Sequence, residues 1–469
     1  KGTLLPDGWK LPESMQDETG VIFCSAFPGL NRMAEEAGRF YEAKSLQRQL
    51  SEVMAMEDLL LALNPTGQTH FQNEIIRRKT ELELKLDEVN YHFDRRFIFR
   101  VLSMGHSQFA EYIGARGPNT SVNAACATTT QGINIAEDWI RTGRCRRVIV
   151  IAGDDVSDNN LASWIGTSLF ASGAATTEGN LRLAALPFDK RRNGLIMGMG
   201  AAALIIESQD GAEERGIRPI CEIVASQFSN SAFHGTRLDV AHVAGLMETL
   251  VATAEKRFGL ERNAIAAKTV FISHETYTPA RGGSASAEIF ALRHTFKDNA
   301  NKVIIANTKG YTGHTMGVGV EDVLAVKALE TGKVPPIAHI NEGFEPDPDL
   351  GDLLLSQGGD YNPEFALRLG AGFGSQIAMV LYRKITGTGE RINQNVYRNW
   401  LKANSGYAQA DLEVEKRTLR VKSQGIPVNE PIKSTWQFGL LPGRWAVNAE
   451  LSNNKYSESM TVTIPEHQR

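Results

Sequence analysis

The sequence predicts an α/β protein: two similar halves, each built on buried, mainly parallel sheet. Three observations predict it. Short, continuous apolar runs recur, among them residues 21–27 (VIFCSAF), 148–153 (VIVIAG) and 302–307 (KVIIAN). Runs of that kind read as strands buried on both faces. Stretches with helical spacing alternate with them, the order expected of strand–helix–strand units with helices outside the sheet. The alternation then restarts after about residue 211 and runs to about 385. That suggests an internal duplication, although no fixed short period is present.

Composition narrows the function. The chain has 469 residues, room for two domains or one large duplicated one. Hydrophobic residues make up 42% and the net charge is −4. This balance argues against nucleic acid or an anionic membrane as the main partner. No apolar run approaches 18 residues, so no membrane span is expected, and no signal peptide is visible. The four cysteines, Cys24, Cys126, Cys145 and Cys221, form no CxxC and no paired spacing. Neither a metal site nor a disulfide framework is indicated, and a reducing cytoplasmic setting fits best. The first residue is Lys1, not Met, which reads as a piece of something longer.

In chain order, residues 1–18 are polar, and Pro6 and Pro12 interrupt any long helix. The strand at 21–27 ends at Pro28-Gly29. Residues 31–63 read as helix, with Leu46, Leu50, Leu59 and Leu60 among charged side chains. A turn follows at 64–67 (NPTG). Residues 73–92 read as a charged helix, so 48–95 stands apart as a helical insertion facing solvent or a partner. Residues 95–114 read as one further helix. A β-favouring run at 120–123 leads into Cys126 and then a helix through Ile133, Ile135, Ala136, Trp139 and Ile140, closed by Gly143. After the strand at 148–153, the segment 194–200 (GLIMGMG) runs into a strand at 201–207. The second half gives strand 220–224, helix 240–258, strand 269–273, helix 284–296, strand 302–307, helix 316–331 and a closing hairpin, 366–370 with 376–382. Residues 1–210 and 211–385 are thus the two halves. Residues 386–469 are polar and carry Pro427, Pro431, Pro442 and Pro465, which suggests a linker or the edge of a following region.

Cys126 is the first candidate for chemistry. It lies at a strand-to-helix junction in NAACATTT, between small neighbours Ala125 and Ala127. Unpaired N–H groups and partial positive charge at a helix N-terminus stabilise a thiolate. A free cysteine is also commonly just a small buried hydrophobe. Two histidines directly follow strands of the second half: His274, opening HETYTP, and His314, closing NTKGYTGH. Strand C-terminal ends are where open α/β sheets collect ligands, though a loop histidine can equally be a solvated turn residue. The segment Gly370-Ala371-Gly372-Phe373-Gly374-Ser375 joins two apolar strands. It serves either as a tight turn or as backbone that approaches a ligand closely.

The order NAACATTT, HETYTP, KGYTGH, GAGFGS resembles the β-ketoacyl synthase (condensing enzyme) family of the thiolase superfamily. There a cysteine motif, an HGTGTP-like motif, a KxxxxGH motif and a GFGG-like loop follow in that order. PFDKRRNGLIMGMGAAALIIE resembles a further family segment. The resemblance spans about residues 20–385. It implies a duplicated thiolase-like fold in α-β-α-β-α layers, here lacking the first strand and helix. It implies Cys126 as the nucleophile that accepts an acyl chain. His274 and His314 would promote decarboxylation and stabilise the enolate, with Lys309 supporting them. The N–H groups of Cys126 and Phe373 would form an oxyanion hole, Phe373 also acting as a gate. Thr276, Thr278, Gly372 and Gly374 would line the substrate. A thiolate is both nucleophile and leaving group, and two imidazoles can donate to a developing enolate oxygen. No cofactor is implied: phosphopantetheine arrives on an acyl carrier protein. The expected substrates are acyl and malonyl-type thioesters, and the expected assembly is a homodimer formed beside the cysteine strand.

The chain departs from the family pattern in places. Glu275 and Tyr277 replace glycines of HGTGTP, Asn193 stands where Asp is frequent, and Ser375 where Gly is frequent. Glu321 or Asp322 is the candidate for the acid after the GH motif. Two other readings stay open within the superfamily: a non-decarboxylating acyltransferase, and a non-catalytic chain-length partner. The first usually carries a second cysteine near its C-terminus, and none here follows Cys221. The second loses the nucleophile, and Cys126 is present.

Overall fold

A computed structural model describes residues 9–63, 69–158, 161–279, 283–415, 418–423, 425–436, 448–451 and 460–463. The turn expected at 64–67 and much of the chain beyond 436 lie outside these. Strand β1 (Thr19–Cys24) is buried on both faces, as its apolar run requires. The chain then enters two long helices, α1 (Leu30–Ala62) and α2 (Thr69–Val89), before α3 (Gly105–Ile113), β2 (Asn119–Val122), α4 (Thr128–Arg141), β3 (Arg147–Asp155) and β4 (Met199–Glu207). The second half supplies β5 (Cys221–Asn230), α5 (Val240–Phe258), β6 (Thr269–Ile272), α6 (Ser284–Phe296), β7 (Ile304–Ala306), α7 (Val320–Thr331), β8 (Leu354–Leu355), β9 (Phe365–Gly372) and β10 (Gln376–Lys384).

Two sheets result. The first has the order β2-β1-β3-β4, parallel except for β4. The second has the order β5-β10-β9-β6-β7-β8, with β10 antiparallel to both of its neighbours. Strands β2, β1, β3 and β4 correspond one for one to β7, β6, β9 and β10. The duplication expected from the alternation is therefore present in the pairing itself. In the second sheet β5 lies beyond β10; among the described residues no strand lies beyond β4.

Helices α4 and α7 pack against both sheets and lie between them, while α5 and α6 cover the far face of the second sheet and α3 the far face of the first. The middle layer is closed by Ile22, Ile133, Val150, Ile272, Ala325 and Val380. It accepts two helices between two sheets because the helix faces are lined by small residues. Gly132 shows the tolerance: a Cβ there would lie 2.5 Å from Cys24 Sγ.

The chain divides into two compact units, one of Lys1–Ala26, Gly105–Ser157 and Ile165–Arg469, the other of Phe27–Met104 and Asp158–Trp164. The helical unit is wider than the insertion expected at 48–95, because α1 is one uninterrupted helix from Leu30. Reduced exposure recurs in it at 43, 46, 50, 53, 57 and 60, and at 72, 75, 79, 82, 86 and 89. Steps of three and four on two packed helices are the signature of an antiparallel coiled-coil hairpin. Lys79 and Glu57 occupy facing positions in that seam and pair at 2.9 Å. The single helix expected over 95–114 is broken at Ser103, whose φ of 53° no helix accommodates.

The polar stretch from 386 is not a bare linker over its first part. Helix α8 (Gln394–Ser405) is capped by Asn393, whose side chain accepts from Val396 N, and closed by Gly406. Asn393 N donates to Gly216 O and Arg218 N to Arg391 O, both at 2.8 Å. Its capping pattern was present in the sequence but sat in too polar a context to read as a packed helix.

Candidate active site

The duplication explains where the site lies. Cys126 follows β2, and Lys309 and His314 follow β7, the corresponding strand of the other half. His274 follows β6, which corresponds to β1. Nucleophile and His314 thus emerge from equivalent strand ends, and His274 from the neighbouring strand's end.

Cys126 occupies an elbow between β2 and α4. Ala125 at φ 50° makes the turn. Thr128 Oγ1 accepts from Ala124 N at 2.9 Å, which fixes it. Gly372 lies directly against this elbow: a Cβ there would be 2.5 Å from Ala124 O and 2.9 Å from Cys126 N. Only glycine permits that approach. The glycine-rich segment thus presses backbone against the cysteine rather than only turning the chain. Beyond it, Gly374 and Ser375 take φ of 76° and 63°. The Ser375 hydroxyl accepts from His234 N at 3.0 Å and donates to His234 O at 2.9 Å. Phe373 is 41% exposed.

His274 and His314 are both buried, with ring centroids 5.8 Å apart and planes at 82°. Met316 N donates to His314 Nδ1 at 3.2 Å, so the proton of the neutral ring sits on Nε2. Burial and the nearby Lys309 ammonium push His314 down to about 3, and push His274 well below the ordinary imidazole value. Both rings are therefore neutral donors at neutral pH. His274 Nδ1 is buried and meets no hydrogen-bond partner among the described residues.

Lys309 is buried and pairs with Glu321 at 2.5 Å. Glu321 is held near 2, because Lys309 and Arg368 outweigh the burial that would raise it. Asp322, facing Arg368 at 3.6 Å, is raised to about 6, burial being its largest influence. Two buried cations thus meet two buried acids, the condition under which charges remain in an interior.

For Cys126 the structure corrects the sequence reading. The helix N-terminus does not leave the thiol acidic: burial pushes it up to about 11, and Lys309 offsets only part of this. Lys309 acts on Cys126 and on both histidines, which places all four in one electrostatic neighbourhood.

Of the remaining expected site residues, Thr276 and Thr278 lie on the His274 loop. Thr276 N donates to Ser284 Oγ at 3.0 Å, and Thr278 O accepts from Arg192 Nε at 3.1 Å. Glu275 is fully buried beside Arg192 at 3.8 Å, so its bulk points into an ion pair rather than to solvent. Several supporting residues escaped the sequence reading. Glu288 accepts from Ser273 Oγ at 2.6 Å and His274 N at 2.5 Å. Asp154 accepts from Ser25 Oγ, Ala26 N and Gly317 N at 2.6, 3.0 and 2.9 Å. Thr129 Oγ1 donates to Gly317 O at 2.6 Å and accepts from Gly319 N at 2.8 Å, and Thr130 Oγ1 reaches Asp322 at 3.0 Å. The only signal for them was the run TTT after the cysteine.

Comparison with known proteins shows the family and the fold. The family model described as Beta-ketoacyl synthase, N-terminal domain, matches residues 76–212, and that described as Beta-ketoacyl synthase, C-terminal domain, matches 220–341, together more than half of the chain. The 3-oxoacyl-[acyl-carrier-protein] synthase 2 of Staphylococcus aureus (strain COL) is 29% identical over 284 residues, 60% of this chain. That of Synechocystis sp. is 30% identical over 288 residues, 61% of this chain. The chain spans 65% and 66% of the length of these two relatives. Among solved structures, a β-ketoacyl synthase from Burkholderia phymatum superposes with a TM-score of 0.58 at 19% identity, covering 80% of this chain and 77% of that one. A type II PKS ketosynthase, solved in complex with its acyl-carrier protein, gives 0.55 at 24% identity, covering 64% and 72%. At these identities the structures establish a shared fold.

Proposed function

Because the chain belongs to the β-ketoacyl synthase family, we propose that it catalyses decarboxylative Claisen condensation of a Cys126-bound acyl chain with a malonyl-type thioester. The observation that carries the reading is the pair of buried, neutral histidines set edge to face at 5.8 Å beside Lys309. In the first half-reaction the Cys126 sulfur attacks the carbonyl of an incoming acyl thioester. The N–H groups of Cys126 and Phe373 receive the oxyanion. The carrier thiolate leaves and takes up the proton that the cysteine gives up. In the second, the bond between the extender's α-carbon and its carboxylate breaks, and carbon dioxide departs. The electron pair left behind becomes an enolate, whose oxygen accepts hydrogen bonds from His314 Nε2 and from His274. The enolate carbon attacks the acyl-cysteine carbonyl, and the cysteine leaves as thiolate, to be reprotonated.

A neutral imidazole donates to an oxyanion without transferring its proton outright, and burial, aided by Lys309, favours the neutral form of both rings. Two histidines with no cysteine in either place support the decarboxylating reading over a thiolase-like one. An acyl carrier protein is the proposed carrier of both substrates, in line with the names of the relatives, and the phosphopantetheine arm would arrive with it. We propose a homodimer joined at β2, the outer strand of the first sheet. Among the described residues no helix is long and apolar enough to cross a membrane.

The test is direct. Incubation with an acyl thioester followed by mass spectrometry should add one acyl group at Cys126, and Cys126→Ala should abolish it. An intact chain that remains unmodified would overturn the enzymatic reading in favour of a structural partner.

A further inference from the structure

Tyr277 stands where the resembling motif has glycine, and no step above uses it. Its side chain is fully buried. Its backbone φ is 45°, a region that favours glycine and strains a bulky residue. Such a conformation persists only where surrounding contacts hold it. The Tyr277 hydroxyl donates to the Lys309 carbonyl at 3.0 Å. The Tyr277 carbonyl accepts from Gly194 N at 2.8 Å. Asn307 completes the bracket: its Oδ1 accepts from Lys309 N at 2.9 Å, and its Nδ2 donates to Glu275 O at 2.8 Å. The peptide groups on both sides of Lys309 are therefore tied to the loop that carries His274.

We propose that Tyr277 is a positioning residue for the condensation step, its hydroxyl holding the Lys309 carbonyl so that the Lys309 ammonium and the His314 loop keep their place against His274. This rests on the condensing reading above. The consequence is asymmetric between half-reactions. Transfer of the acyl chain to Cys126 needs the thiol and the backbone N–H groups, which Tyr277 does not touch. Decarboxylation needs both imidazoles aimed at one oxygen, and that mutual aim is what the Tyr277 tether fixes. Glycine at this position would satisfy the backbone but supply no tether.

Two variants test it in the full chain: Tyr277→Phe, which removes one oxygen and keeps the ring, and Tyr277→Gly, which relieves φ and removes the ring. Acyl loading of Cys126 is read by mass spectrometry, condensation by product formation from a malonyl thioester, and fold by melting temperature. Both variants should load Cys126 within about twofold of the parent, while condensation kcat falls roughly ten- to a hundredfold. The KM for the extender should stay within about twofold, since substrate contacts are untouched. Condensation by Tyr277→Phe at the parent rate overturns the proposal, as does an equal loss of loading and condensation in both variants. A parent chain that loads Cys126 but never condenses refutes the condensing reading and this role with it, whereas a condensing parent matched by Tyr277→Phe refutes the role alone.

Discussion

At the residue scale the decisive contest is at Cys126, where burial, helix N-terminus and Lys309 act on one thiol. Burial wins, and the thiol sits near 11. Raising the pKa of an acid depletes its charged form, so at neutral pH the thiol form predominates. Alkylation of Cys126 by iodoacetamide should therefore climb about tenfold per pH unit from 7 to 10, with no plateau near 8. A plateau there would show that the helix end and Lys309 prevail. The same reasoning sets the acid side of the condensation. With both rings held far below 6.5, they stay neutral through the mildly acidic range, and the rate should not fall at pH 6 because of imidazolium formation. Replacing one donor should separate the half-reactions: His314→Ala should load Cys126 nearly as well as the parent but lose roughly a hundredfold or more in condensation. Equal loss in both would assign His314 to acyl transfer instead.

At the element scale, the N-terminus of α4 is bolted to the loop after His314 by Thr129, and to the first turn of α7 by Thr130 through Asp322. Thr129→Val keeps the shape but strands Gly317 O and Gly319 N. Leaving buried backbone groups unpaired should cost about 1–3 kcal/mol, measurable as a lower denaturant midpoint at unchanged slope. An unchanged midpoint would mean the loop holds itself. This contact also marks the limit of what the sequence disclosed. The placement of Cys126, His274, Lys309 and His314 was legible because each follows a strand. Strand and helix order was legible because buried parallel strands are continuously apolar. Thr129 and Asp154 were not legible, since a hydrogen bond to backbone more than a hundred residues away leaves no local pattern, and neither were Asn307 and Glu288, whose backbone partners on the His274 loop lie 32 and 14 residues away, beyond any helical or strand period. The acidity of Cys126 was misjudged for a related reason: the helix end is visible in sequence, whereas the depth of burial is a property of the assembled layers. In the coiled-coil hairpin the charges of 73–92 masked a seam, because Lys79 and Glu57 occupy inward positions.

At the scale of the whole molecule, the proposed homodimer poses the question of which open strand edge would meet a second copy. The first sheet ends in β2 on one side and β4 on the other. In the second sheet the strand corresponding to β4 is β10, and it is covered by the ten-residue β5. The strand corresponding to β2 is β7, and it is covered only by the two-residue β8. In the second sheet the edge corresponding to β2 thus has the shorter cover, while in the first sheet neither β2 nor β4 is covered by a further strand among the described residues. Residues 117–125 are small and uncharged; Pro118 stands just before the strand, and within Asn119–Val122 there is neither the lysine nor the proline that usually guards an edge. Its side chains stay partly accessible at Thr120 and Ser121. A twofold axis perpendicular to such a strand makes it pair antiparallel with its twin, joining the two sheets and placing the paired cysteine elbows on either side of the axis. Ser121→Cys should crosslink to its twin under mild oxidation, and Ala203→Cys on β4 should not. Crosslinking through β4 alone, a dimer joined only beyond residue 384, or a monomer at micromolar concentration would each refute the β2 assignment. Separating the dimer by Ser121→Pro, which removes a ladder donor, should also lower activity if the elbow carrying Cys126 is braced across the axis.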